Sequence, residues 1–215
     1  VAEFSQAPAA SPANTLCVVL AGGQGQRMGG VDKGLQLYQN QALVAWSLAR
    51  LRAQSWGVAQ HIGISANRNL EKYAALGYPV WADVRPGYDG PLQGVMASLQ
   101  HANSWPVPLH YVLLVPCDTP HLPLDLALRL SSALAATPAR LAAARANART
   151  HPLACLLSLH VMPELGRYLD SGQRKVQTWM EACGVQWVDF DTPAYAANAF
   201  DNLNNLADLA ARPPP

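Results

Sequence analysis

Lysine is scarce in this chain of 215 residues, with Lys33, Lys72 and Lys175 its only three. Charge as a whole is thin. Charged residues make up 13% of the chain, against about 25% in an average globular domain, and the formal net charge is +1. No basic field draws the protein onto nucleic acid or an anionic membrane, so an anionic ligand must be held by a few well-placed cations. Cysteine is equally sparse. Cys17, Cys117, Cys155 and Cys183 lie far apart without a C-x-x-C pair, and read as reduced, small apolar residues. No apolar stretch approaches the roughly 18 residues of a membrane span. The N-terminal residues lack the charged and apolar regions of a signal peptide, so the cytoplasm is the expected compartment. The composition of a disordered chain is missing too, since 50% of the residues are apolar. The length suits one domain with a substantial core and is too short for two large ones.

Residues 1–14, rich in Ala, Pro and Ser, read as a loose tail, as do residues 212–215; a single domain is expected over 15–211. No repeat at solenoid spacing is present. Between the tails, short apolar runs alternate with helical patterns. Leu16 to Leu20 predicts a buried strand, and Leu43, Trp46, Leu48 and Leu51 mark an amphipathic helix. A strand over Ile62 to Ser65, a short helix around Leu70 to Leu76 and a strand over Pro79 to Trp81 follow. Gly90-Pro91 opens a helix to about His101, with Pro91 at its first position. His110 to Val115 is a strongly apolar strand, and a helix is expected from about Leu124 to Ala136. The pattern predicts an α/β fold, a mainly parallel sheet flanked by helices, in which ligands bind at the carboxyl ends of strands.

Two loops loaded with chemistry sit at such ends. The segment Leu20-Ala-Gly-Gly-Gln-Gly-Gln-Arg-Met-Gly-Gly-Val-Asp-Lys33 holds five glycines, Arg27 and Lys33. Glycines let successive amides converge on an anion, and the two cations add charge beside them. A P-loop needs Gly-Lys-[Ser/Thr], and no Gly-Lys dipeptide occurs in the chain. A dinucleotide-binding loop needs a third glycine where Met28 stands and an acid about 20 residues on, but no acid occurs between Asp32 and Glu71. The second loop is Pro116-Cys-Asp-Thr-Pro120, whose Asp118 follows the apolar strand directly. Such an aspartate can serve a metal, or cap the following helix.

Leu20-Ala21-Gly22-Gly23, Arg27-Met28-Gly29-Gly30 and Asp32-Lys33 together resemble the signature of the molybdenum cofactor guanylyltransferases, which have a nucleotidyltransferase (Rossmann-like) fold. The resemblance spans about Leu16 to Leu209. It implies transfer of GMP from GTP to the terminal phosphate of molybdenum-molybdopterin, with Mg²⁺ bound by Asp118. It also implies catalytic roles for Lys33, Asp118 and Arg27, and contacts to the bound substrates from Leu20, Ala21, Gly22, Gly23, Lys33, Ser65, Asp83, Asp118, Asn202 and Asn204. Ser65 departs from the family, which often places Asn there, so either Ser65 or neighbouring Asn67 reads the base or both are turn residues. Gly90-Pro91-Leu92-Gln93-Gly94 resembles a further family run, as do His151-Pro152 and Arg174-Lys175-Val176. Phe200-Asp201-Asn202-Leu203-Asn204 is similar to a segment near the acceptor, although it also reads as a helix start. Arg140, Arg145 and Arg149 read as a solvated face or as cations meeting the acceptor. Small-molecule substrates are the implied partners, with cofactor-insertion proteins and molybdoenzyme chaperones as protein partners. Rival readings are a molybdopterin cytidylyltransferase using CTP, a sugar-1-phosphate nucleotidyltransferase, and a non-catalytic nucleotide sensor. Ala21-Gly22-Gly23 favours guanine over cytosine, because the resembling cytidylyltransferases carry Ala-Ala-Gly.

Overall fold

The apolar run after Asn14 forms β1 (Thr15–Leu20), in which Leu16, Cys17, Val18 and Val19 are all buried. Both faces of this strand are covered, which is why its sequence does not alternate. The computed structural model describes residues 8–23, 31–57, 59–83, 85, 90–191, 195 and 198–203. After β1 come the short ribbon of β2 (Leu37–Tyr38) and β3 (Gln41–Ala42), then α1 (Leu43–Arg52) and β4 (His61–Ser65). They are followed by α2 (Leu70–Ala74), β5 (Val80–Trp81), α3 (Pro91–Asn103), β6 (Tyr111–Pro116) and α4 (Leu126–Ala135). The chain continues through β7 (Leu141–Ala146), β8 (Arg149–Ser158), α5 (Met162–Asp170), α6 (Val176–Ala182) and β9 (Gln186–Asp189).

Among the described residues, seven strands form one sheet in the order β5-β4-β1-β6-β8-β7-β9. Cys17 and Val19 of β1 join a core with Val44 and Leu48 of α1 and Leu126 and Leu130 of α4. Leu16 and Val18 join the opposite core, with Leu92, Val95 and Leu99 of α3, Leu165 of α5 and Trp179 of α6. Burying aliphatic side chains of this kind stabilises by about 1.5–3 kcal/mol each, so the central strands carry much of the fold's stability. Among the described residues, no helix is long and apolar enough to cross a membrane.

The strands β5, β4, β1 and β6 are mutually parallel, as is the pair β7 and β9. β8 departs from that pattern by running against both β6 and β7. Its cause is local. Asn147 and Ala148 link β7 to β8 with φ of 52° and 54°, a two-residue hairpin that returns the chain antiparallel to itself. Residues 8–14, expected as a loose tail, include a 3₁₀ turn at Pro12–Asn14, and the Tyr111 hydroxyl donates to the Pro8 carbonyl at 3.0 Å.

The parallel set positions the site. From β1 the chain builds outward through β4 and β5, then crosses back to place β6 on the other side of β1. The order reverses there, and such a switch point opens a crevice at the carboxyl edge.

Candidate active site

β1 and β6 pair up to Leu20 and Pro116, and their zipper continues one step further as the Cys117 amide donates to the Leu20 carbonyl at 3.1 Å. On the other side, the Ala21 amide donates to the Ser65 carbonyl at 2.7 Å. Leu20 and Ala21 are therefore held in the sheet by their backbones. Gly22 and Asp118 leave the sheet at the same level, one from each strand. Lys33 lies in a 3₁₀ turn, Lys33–Leu35, and its ammonium donates to Asp118 Oδ2 across 85 positions of sequence. Asp118 is only 9% exposed, so a cation at its side balances a carboxylate poorly served by water.

Asp83 follows β5 and is half-buried. Burial pushes its carboxyl above the usual range, and the hydrogen bond from Asn67 pulls it partly back. The Asn67 amide nitrogen donates to Asp83 Oδ2 at 2.7 Å and to the Gly22 carbonyl at 3.2 Å, and its oxygen accepts from the Asp83 backbone amide at 2.8 Å. Asn67 thus spends its amide tying the ends of β1, β4 and β5 together. Ser65 is 1% exposed, and its hydroxyl has no hydrogen-bond partner among the described residues. Gly94, in the first turns of α3, makes room here: a Cβ on it would lie 3.1 Å from Ser65 Oγ and 3.2 Å from Asp83 Oδ1.

The segment after β4 reaches the glycine-rich loop again through Arg68, which donates to the carbonyls of Gly23 at 3.3 Å and Val31 at 3.4 Å. Sequence reasoning offered no role for Arg68, nor for Asp32 as a hydrogen-bond acceptor. The available signal was a cluster of polar residues directly after a strand that neighbours the glycine-rich loop. Arg27 and Asn204 lie outside the described residues.

The far wall of the crevice is built late in the chain. The Leu203 amide donates to the Asp118 carbonyl at 3.0 Å, which brings exposed Asn202 next to the β6 edge. Phe200 stacks on His151 with ring centres 4.8 Å apart, and burial lowers the pKa of that imidazole. Arg145 forms a two-pronged pair with Asp189 at 2.5 and 2.8 Å, and Arg140 pairs with Glu164 at 2.7 Å. Both are thereby engaged on the surface. Arg174 donates to the carbonyls of Leu169 and Gln173, and exposed Lys175 precedes α6.

Cys17, Cys117 and Cys155 are buried free thiols, and burial pushes Cys17 up to about 12, which keeps it protonated and unreactive. Among the described residues no three His, Cys, Asp or Glu side chains gather as a metal cage. Asp118 offers a single hard oxygen donor at the crevice. That donor set suits Mg²⁺, which takes one or two carboxylates and completes its shell with water and substrate phosphates.

A family profile described as "MobA-like NTP transferase domain" matches residues 17–187. The chain is 46% identical over 193 residues to a molybdenum cofactor guanylyltransferase of Pasteurella multocida, covering 89% of this chain and 95% of the relative. It is 43% identical to one of Mannheimia succiniciproducens, covering 89% and 95%. Among solved structures, molybdopterin-guanine dinucleotide biosynthesis protein A from Archaeoglobus fulgidus superposes with a TM-score of 0.69 at 19% identity, covering 91% and 95%. A 4-diphosphocytidyl-2C-methyl-D-erythritol synthase from Anaerococcus prevotii reaches the same TM-score at 9% identity, covering 91% and 92%, so the fold outlasts the sequence. By its match over most of its length, this chain belongs to the MobA-like NTP transferase family and is a nucleotidyltransferase.

Proposed function

We propose that this enzyme transfers GMP from GTP to the terminal phosphate of molybdenum-molybdopterin, releasing pyrophosphate and forming the guanine dinucleotide cofactor. The observation that carries this reading is the Lys33–Asp118 pair, set beside Gly22 and Gly23 at the switch point of the sheet. The relatives of highest identity given above carry guanylyltransferase names, and they support GTP over CTP.

The acceptor phosphate attacks the α-phosphorus, and pyrophosphate leaves. Two anions must meet, so catalysis rests on positioning and charge neutralisation. The amides around Gly22 and Gly23 cradle the triphosphate, and Lys33, with Arg27, takes up charge developing on the leaving pyrophosphate. Asp118 would hold Mg²⁺, which would supply charge withdrawal from the phosphate oxygens. No general base is needed, because a phosphate monoester with a second pKa of about 6 is already largely a dianion at neutral pH. Asp83 and Ser65 line the base side of the crevice. Asn67 acts there as their support, since its amide is already committed. Asn202 and Asn204 are the acceptor contacts in this reading, since side-chain amides suit a pterin edge. The enzyme works in the cytoplasm, alongside cofactor-insertion proteins and molybdoenzyme chaperones.

Calorimetry with GTP and CTP, with and without Mg²⁺, and a pyrophosphate assay with molybdopterin acceptor test this. GTP is expected to bind in preference to CTP, and Asp118→Ala to lose Mg²⁺-dependent release while staying folded. Lys33→Ala is expected to bind the triphosphate more weakly and transfer more slowly. A folded Asp118→Ala variant with near-normal release would refute the metal role.

A further inference from the structure

Asp32 directly precedes Lys33, and its side chain is held from two directions. The Tyr73 hydroxyl donates to Asp32 Oδ1 at 2.5 Å, and the Asn69 amide donates to Oδ2 at 2.9 Å. The Asp32 carbonyl is occupied as well, accepting from the Leu35 amide at 3.3 Å and from the Gln36 side chain at 3.0 Å. These contacts leave the backbone on the N-terminal side of Lys33 little freedom. Tyr73 is the fixed end of the arrangement. It lies on α2, is fully buried, and belongs to the core beneath α1. Burial and the neighbouring carboxylate push its phenol pKa upward, so it stays a donor at any physiological pH.

A buried phenol needs an acceptor, but any backbone carbonyl would serve the core. Here the acceptor is a carboxylate on the catalytic side of the sheet, reached across 41 positions of sequence. The chain also keeps space for that hydroxyl. Gly34 sits against it, and a Cβ there would stand 2.4 Å from the phenol oxygen. We infer that Tyr73 is a positioning residue for nucleotidyl transfer: through Asp32 it anchors the turn that presents Lys33 to Asp118. The inference rests on the role given to Lys33 in the proposed reaction. Tyr73 touches neither substrate nor metal in this account, and acts on charge neutralisation by limiting where the ammonium can go.

Tyr73→Phe keeps the ring in the core and removes only the hydroxyl. Two readouts separate this inference from the function it rests on. With three lysines in the chain, limited acylation followed by peptide mass spectrometry resolves each one. Lys33 is expected to label several-fold faster relative to Lys175 in Tyr73→Phe than in the unmodified protein. In the pyrophosphate assay, kcat is expected to fall about five- to thirtyfold, the range left when one charge-assisted hydrogen bond is transmitted in part, with the acceptor KM nearly unchanged. In an Asp32→Ala background the same substitution is expected to cost less than about twofold more, because its route is already cut. Unchanged Lys33 labelling in Tyr73→Phe overturns the inference whether or not the protein transfers GMP. So does a full, additive loss in the Asp32→Ala background. An unmodified protein that releases no pyrophosphate from GTP overturns the proposed function instead, while the labelling result still decides the anchor.

Discussion

Gly34→Ala is a one-carbon change with a consequence that can be worked out from the structure. The added Cβ would lie 2.4 Å from the Tyr73 hydroxyl oxygen and 3.3 Å from two carbons of its ring. The first contact is about 1 Å inside ordinary carbon–oxygen distance, while the ring carbons alone would need only a small shift. Gly34 does not use the positive-φ region, so the backbone itself accepts alanine. Tyr73 is fully buried and bonded to Asp32, so displacing it costs packing and that bond. Overpacking of this kind costs about 1–3 kcal/mol, and losing a hydrogen bond to a charged group adds about 1.5–3 kcal/mol if the ring is displaced. Together these come to about 2.5–6 kcal/mol, so a chain of this size should lose roughly 5–24 °C in Tm. The double variant Gly34→Ala/Tyr73→Phe supplies the sharper test. Removing the oxygen leaves contacts of 3.3 Å, so the double variant should melt above Gly34→Ala even though Tyr73→Phe alone melts below the unmodified protein. Differential scanning calorimetry measures all four proteins. A Gly34→Ala protein melting within about 1 °C of the parent, or a double variant less stable than either single one, would refute the reasoning.

Two further outcomes follow from the same edge of the sheet. Gly63→Ala would bring a Cβ to 2.3 Å from two carbons of the Trp81 ring, which stacks on His101 at 4.5 Å; near-ultraviolet circular dichroism should show the indole displaced and Tm should fall. An unaltered aromatic spectrum and Tm would contradict that packing. Asp83 has a folded-state pKa raised by burial, so the stability it contributes is full below the ordinary carboxyl value near 3.8 and is lost as pH rises through the higher folded value. Asp83→Asn should therefore be more stable than the parent at pH 7, with the gain shrinking toward pH 4. Melting curves across that range that show a constant difference would contradict the burial argument.

Much of the first half of the fold could be read directly. The runs at Leu16, Ile62 and His110 are apolar because their strands are covered on both faces, and that is a property of composition. The β7–β9 half was not legible. β7 reads Leu-Ala-Ala-Ala-Arg-Ala, whose alanines favour helix over strand, and only its pairing with β8 and β9 makes it extended. Ser65 and Asn67 could not be told apart in sequence, since both are short polar residues after a strand. In the structure Asn67 bonds Gly22 and Asp83, whereas the Ser65 hydroxyl has no partner among the described residues.

Taken alone, the sequence determined the chemistry available: a glycine-dense turn with its cations, and a carboxylate directly after a buried strand. Those features are local, set by residue type and by spacing along the chain. Tertiary structure alone decided which of them meet. The crossover that places β6 beside β1 brings Lys33 to Asp118 over 85 positions, and the docking of α2 carries Tyr73 to Asp32 over 41. Contacts of that range depend on strand order and core packing, which no spacing along the chain encodes.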